Sequence, residues 1–517
     1  MRPAATTPKV DGAQLVWLRR ELRLRDNPAL LAAAGSGPVV PIYVWEWDAG
    51  HPWETGPAAR WWLLRSLQAL DTDLRTRGSR LVVRRGPAPA ALAALGRETS
   101  AARLHFTPTL DPGDLDAAAL AGALRSDGAP LTVEAHAPNL LFADLATARG
   151  RPYLVFAPFW KACLAAGAPP PPSPAPVHLP APAAWPEGVS LDEVEAGVQR
   201  EWMAGVAACW QPGEAAAAAR LARFPRRALA GYERLRDVPA AEGTSRLSPH
   251  LHFGEVSARD IWHALNEYTH RPQPAPNESQ TDARQSARAF LRQLAWREFA
   301  HQLLLFRPET PERPLRDEFE AFPWREDEQP LRLWQLGLTG YPLVDAGMRQ
   351  LWATGWMHNR VRLVSASLLV KHLLQPWQLG AQWFWQTLLD ADLADNTLGW
   401  QWVAGCGADA APYFRVFSPE AQGRRVDADG AYVRRWLPEL ARLPDAFIHA
   451  PWTAPAHVRA AAGVRLVPPE TAAVMAAGAH GPLRLPGGAY PEPIIDHGVA
   501  RRRALEAFAA MRARRAG

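Results

Sequence analysis

The sequence predicts an α/β domain of the doubly wound, parallel-sheet type, joined by a Pro-rich linker to a larger all-α domain. Three observations carry this reading. Five short β-rich apolar runs alternate with helical patterns before residue 140, prolines crowd residues 168–186, and helical periodicity with almost no strand pattern fills the chain from about residue 191. At 517 residues, 48% of them hydrophobic, the chain has room for two or three domains with substantial cores.

In order along the chain, strands are expected at residues 15–18, 39–44, 81–83, 104–106 and 131–133. The clearest early helix is 57–77, with Trp61, Leu64, Leu67, Leu70 and Leu74 on one face. No Gly-x-Gly-x-x-Gly follows the first strand, where Trp17-Leu18-Arg19-Arg20 stands instead, so a conventional dinucleotide site is not expected. The expected boundaries are 12–140 for the α/β domain, 141–190 for the linker and 191–517 for the helical domain, with loops at 273–277 and 337–342. There is no run of about 18 apolar residues and no apolar signal core in the first dozen, so a cytoplasmic protein without a membrane span is expected. Cys163, Cys209 and Cys406 are odd in number and far apart, giving neither a disulfide framework nor a four-ligand metal set. The net charge of +5 permits an acidic partner such as nucleic acid, and lysine occurs only at Lys9, Lys161 and Lys371, leaving arginine as the main cation.

Chemistry concentrates in residues 390–417, which begin Asp-Ala-Asp-Leu-Ala-Asp-Asn-Thr-Leu-Gly-Trp-Gln-Trp. A core helix wants repeated apolar positions, so carboxylates and amides interleaved with indoles point to a polar, planar, redox-active ligand. Gly243-Thr244-Ser245-Arg246-Leu247-Ser248-Pro249 places hydroxyls and an arginine at a helix start, which suits a phosphate and equally a plain N-cap. Gln293, Trp296 and Arg297 fall at i, i+3 and i+4, so an amide, an indole and a guanidinium can face one cavity; an amphipathic helix with a Trp anchor has the same pattern. Less generic is Gly355-Trp356-Met357-His358-Asn359-Arg360-Val361-Arg362.

Together these residues resemble the photolyase and cryptochrome flavoproteins. The resemblance runs from Leu15-Val16-Trp17-Leu18-Arg19-Arg20-Glu21-Leu22-Arg23 to Tyr432-Val433-Arg434-Arg435-Trp436-Leu437-Pro438. Asn396-Thr397-Leu398-Gly399-Trp400-Gln401-Trp402 and Asp409-Ala410-Ala411-Pro412-Tyr413-Phe414-Arg415 look like a microbial cyclobutane pyrimidine dimer photolyase. Ser248-Pro249-His250-Leu251-His252-Phe253-Gly254-Glu255 is similar to the class III branch, close to plant cryptochromes. The resemblance implies light-driven repair by electron transfer from photoexcited reduced FAD (FADH⁻) to a dimer in UV-damaged DNA, in a monomeric protein. It puts Tyr232, Thr244, Ser245, Arg246, Leu247 and Ser248 near the cofactor's phosphates and ribityl chain, and Arg297, Asn359, Arg362, Asp390, Asp392 and Asn396 around the flavin. Trp400, Trp377 and Trp324 match the family's electron-transfer triad, and Asn396 and Gln293 its catalytic positions. Trp296 and Trp402 match the walls of the lesion pocket, Leu363 takes a place often held by Met, and Arg236, Arg360 and Arg415 match contacts to flanking phosphates.

Two departures qualify what the resemblance implies. Gln293 stands where dimer photolyases usually carry Glu; an amide donates and accepts but holds no charge and delivers no proton. Phe106-Thr107-Pro108-Thr109-Leu110-Asp111-Pro112 replaces the Asn- and Tyr-containing stretch that often borders an antenna chromophore such as methenyltetrahydrofolate. The alternatives are a cryptochrome-type blue-light photoreceptor without repair activity, and a photolyase of altered lesion specificity such as (6-4). Against the second, Met357-His358-Asn359-Arg360 lacks the expected His pair; against the first, the chain shows a basic helix-like segment at 499–515 and no long disordered tail.

Overall fold

The computed structural model describes residues 12–46, 53–129, 131–143, 145–195, 203–270, 278–410 and 415–516, so the expected loop at 273–277 lies outside the described residues. Five parallel strands, β1 (Gln14–Trp17), β2 (Val39–Trp45), β3 (Val82–Arg85), β4 (Arg103–Phe106) and β5 (Thr132–Ala135), pair in the order β3-β2-β1-β4-β5. Each lies within two residues of its expected place. Helices Pro28–Ser36, Pro57–Arg75, Ala88–Glu98 and Ala117–Ser126 make the crossovers that parallel pairing requires. Both faces of β1 and β2 are therefore buried: Val16 and Val39 pack in one apolar cluster, and Leu15, Val40 and Ile42 in another. Helix Pro57–Arg75 stops two residues short of expectation, where the chain turns through Gly78 at φ +80°.

The linker is more structured than a connector. It contains helix Phe156–Ala166, whose Phe156, Phe159 and Cys163 are buried against Trp296 and Phe299 of helix Glu278–Phe306. The Pro-rich stretch that follows is laced to the α/β domain by backbone bonds: Asp26 N to Ser173 O (2.9 Å), Val39 N to Pro180 O (2.7 Å), Leu179 N to Arg77 O (2.9 Å) and Val189 N to Val83 O (2.9 Å). Prolines remove donors but keep carbonyls, so an extended Pro-rich strand still accepts along a sheet's flank.

The second half is helical, with one correction. β6 (Arg465–Val467) and β7 (Ala489–Pro491) form a two-stranded parallel sheet, too short at three residues each to give a period-two signal. The two halves meet where residues 20–25 cross residues 250–260. Leu22 N donates to Phe253 O (3.1 Å), Arg23 to Gly254 O (2.9 Å), and Arg25 pairs with Asp260 (2.8 Å). Gly254, at φ +66°, lies so close that a Cβ would sit 1.8 Å from the Arg20 carbonyl oxygen. Behind it, buried Glu255 accepts from His250 (2.5 Å), from Trp62 Nε1 (3.1 Å) and from Gly213 N (2.7 Å). The class III-like motif thus spends His250, Gly254 and Glu255 on the domain joint.

Candidate active site

Helix Leu393–Ala404 organises the site. Asp392 Oδ1 caps it by accepting from Ala394 N and Asp395 N (3.1 Å each), and Gly405, left-handed at φ +91°, ends it. The other oxygen of Asp392 faces His252 Nδ1 (3.3 Å) and His301 Nε2 (3.5 Å). His301 Nδ1 donates to the Arg297 carbonyl (3.0 Å), so a proton on Nε2 completes an imidazolium against the carboxylate. The electrostatics agree in sign. Burial alone would lower His301 and raise Asp392, yet their mutual attraction raises the histidine and holds the aspartate well below the usual carboxylate range. Sequence reading named Asp392 but missed both histidines, although His301 follows Arg297 by one helical turn.

Asn396 is half-buried, and its Nδ2 donates to the Ala381 carbonyl (3.1 Å), which leaves Oδ1 as the outward acceptor. Arg362 Nη2 grips both oxygens of Asp390 (3.0 and 2.9 Å), and its Nε donates to Met357 O (2.8 Å). An open space adjoins this helix. A Cβ at Gly399 would meet nothing within 4 Å. Burial, then the neighbouring Asp392, raises Asp395 to about 6, yet this deeply seated residue has exposed surface, as the wall of an internal cavity does. Asn359, at the start of helix Asn359–Ser367, is exposed.

Of the expected phosphate-side residues, Tyr232 and Leu247 share one buried cluster. Tyr232 is buried against Phe224 and Phe290; burial raises its hydroxyl to about 12, so it stays a neutral donor. Leu247 is buried, Thr244 and Ser245 are half-buried, and Ser248 is exposed. Arg246 adopts φ +52° and stacks over Trp356 at 4.9 Å. Arg297 donates to Asn139 O (2.8 Å), lies 3.5 Å from Glu298, and lines an interdomain cavity with Arg20, His252, His301 and Asp392, the last also among the residues expected around the flavin. The 106–112 stretch borders the same cavity, its Asp111 paired with Arg20 (2.6 Å).

On helix Glu278–Phe306, Trp296 has one face covered by Phe156, parallel within 5° at 3.8 Å. Gln293, one turn earlier, is half-buried, and its amide makes no hydrogen bond among the described residues. Trp402 and Leu363 are half-buried beside the main core. Of the arginines, Arg360 pairs with Asp237 (2.6 Å), Arg236 lies over Tyr232 (5.6 Å), and Arg415 is exposed; Ala411 to Phe414 of its motif lie outside the described residues. The indoles form a gradient of burial: Trp400 and Trp377 are buried and Trp324 is half-buried, all in one cluster. Gly380, one turn after Trp377, admits the Trp400 ring, which a Cβ would meet at 2.1 Å. A backbone bond from Arg325 N to Leu374 O (2.8 Å) holds the Trp324 segment beside the loop entering Trp377.

Comparison with known proteins agrees with this architecture. Residues 14–177 match the family described as DNA photolyase, and residues 290–510 match the FAD binding domain of DNA photolyase. The chain is 43% identical over 503 residues to a deoxyribodipyrimidine photo-lyase of Agrobacterium fabrum, covering 96% of this chain and 98% of that protein. It is 37% identical over 514 residues to Cryptochrome-1 of Arabidopsis thaliana, covering 97% and 70%. A crystal structure of a bacterial class III photolyase from Agrobacterium tumefaciens superposes with a TM-score of 0.85 at 42% identity over 99% of both chains. A helical flavin domain beside a parallel-sheet domain is the class that fold and site define. The chain belongs to the photolyase and cryptochrome family.

Proposed function

We propose that the protein is a deoxyribodipyrimidine photo-lyase, a light-driven flavoenzyme that splits cyclobutane pyrimidine dimers in UV-damaged DNA. The observation that carries this is the open side of helix Leu393–Ala404 at Gly399, with Asn396 and Asp395 one turn before it on the same face, taken together with the Arg362–Asp390 pair and the indoles of Trp296 and Trp402 that the family resemblance assigns to the same site. Those groups fit a flavin: an amide acceptor at Asn396 Oδ1, a charge-balanced Arg362–Asp390 pair, and hydroxyls at Thr244 and Ser245. When bound, reduced FAD supplies the light absorption and the electron for ring splitting.

The protein's own groups bind, orient and screen. The Ala381 carbonyl fixes the rotamer of Asn396, so its Oδ1 accepts from a ring N–H without placing an anion there. Asp392 sets the start of that helix and is itself held by His252 and His301. Trp296, backed by Phe156, and Trp402 stack on an extruded pair of bases, while the unpartnered Gln293 amide is available to their polar edges. Arg236, Arg360 and Arg415 hold flanking phosphates. Trp400, Trp377 and Trp324 provide an oxidisable path from the interior toward the surface.

The test is loss of dimers from irradiated DNA under blue light by the purified, FAD-loaded, reduced protein, with a dark control. Light-dependent repair is expected. A fully loaded and reduced protein that leaves the dimers intact overturns the reading and favours the photoreceptor, for which uncharged Gln293 and the Arabidopsis relative speak.

A further inference from the structure

A second polar cluster lies on the sheet itself, at the edge formed by β4 and β5. Residues two apart on a strand share a face, and the β4–β5 register pairs Arg103 with Thr132 and His105 with Glu134. His105, Glu134 and His136 therefore project from one side of the sheet, with Gln14 of β1 behind them. On strand β4 this is an expensive choice. His105 is 1% exposed, at a position where a parallel sheet ordinarily takes an aliphatic residue.

The arrangement has the spacing of a ligand set. His105 Nδ1 lies 3.1 Å from His136 Nε2 and 3.5 Å from Glu134 Oε2, and the three ligand atoms all fall within 4.8 Å of one another. Two ligands at about 2.0–2.1 Å from a tetrahedral ion stand roughly 3.3 Å apart, so these distances need almost no adjustment. The tautomer is set from behind. Gln14 Nε2 donates to Gly12 O (3.3 Å), which turns Gln14 Oε1 to accept from His105 Nε2 (3.2 Å) and leaves the lone pair on Nδ1, facing the cluster. Glu134 gives its other oxygen to Arg103, so one carboxylate oxygen is anchored and the second faces the imidazoles. Glu134 and His136 are only partly buried, so the cluster is reachable from solvent on that side.

We propose that His105, Glu134 and His136 bind one divalent transition-metal ion of the zinc class, clamping edge strand β5 to β4. Two imidazoles and a carboxylate suit zinc better than calcium or magnesium, which take all-oxygen shells. The site is independent of the flavin chemistry.

The test uses tag-free, FAD-loaded protein stripped of metal by chelator and titrated calorimetrically with Zn(II), with X-ray absorption at the zinc edge. One Zn(II) per chain with two nitrogen ligands and one carboxylate oxygen is expected. His136→Ala and Glu134→Gln, both at partly exposed positions, are expected to weaken binding tenfold or more with flavin content unchanged. No binding at micromolar Zn(II), or binding by both variants equal to that of the parent, overturns the proposal.

Discussion

Gln293 is a half-buried, uncharged donor and acceptor, and nothing among the described residues engages it. Removing it in Gln293→Ala is expected to weaken binding of dimer-containing DNA by about 1 kcal/mol, several-fold in Kd, and to leave binding of undamaged DNA unchanged; paired equilibrium titrations read the difference. The His301–Asp392 contact makes a prediction in pH. His301 is raised, so its charged-state contribution is full below the ordinary histidine value of about 6.5 and is lost as pH climbs through the raised one. Asp392 is depressed, so its contribution is full above about 3.9 and is lost as pH falls through the lower value. Stability from the pair is therefore greatest between these limits. In Asp392→Asn, burial is left to dominate, and the His301 resonance of histidine-labelled protein is expected to titrate below about 6.5, with about 3 kcal/mol of stability lost. Both residues of interest were readable as letters. The partner His301 was not, because three elements must meet before it faces Asp392.

At the scale of the element, helix Leu393–Ala404 combines an N-cap, a left-handed terminator and an internal glycine with open space at its side. Helix interiors disfavour glycine by about 1 kcal/mol relative to alanine. Gly399→Leu is therefore expected to raise the melting temperature of the flavin-free protein while lowering the flavin retained on purification, a pair of opposite changes read by calorimetry and by absorbance. The sequence made this helix conspicuous through its polar and indole content, and the strands β1 to β5 were legible because buried parallel strands read as aliphatic runs. β6 and β7 were invisible for want of length. Helix Phe156–Ala166 was assigned to the linker because its neighbours are prolines, yet it supplies the ring that backs Trp296. Cross-strand register, which brings His105 to Glu134, cannot be read from either strand alone.

Across the whole molecule, the joint between the halves rests on a glycine whose replacement has no room. Gly254→Ala adds a Cβ 1.8 Å from the Arg20 carbonyl and strains a left-handed residue, at least about 1–2 kcal/mol before the clash is counted. Denaturant unfolding of that variant is expected to separate into two transitions where the parent shows one, each half then melting by itself. For nucleic acid, Arg415→Ala is expected to lower affinity for all sequences alike and to reduce the slope of log K against log salt by about 1. The Pro-rich stretch carries a consequence for biogenesis. Residues 173–189 accept from and donate to the flanks of β2 and β3 and bury Leu179 against the sheet. A ribosome that has released only the five strands has made a sheet whose edges are still bare, so the amino-terminal half closes during synthesis only after the prolines emerge, and a fragment cut at residue 140 should aggregate where one cut after residue 195 folds.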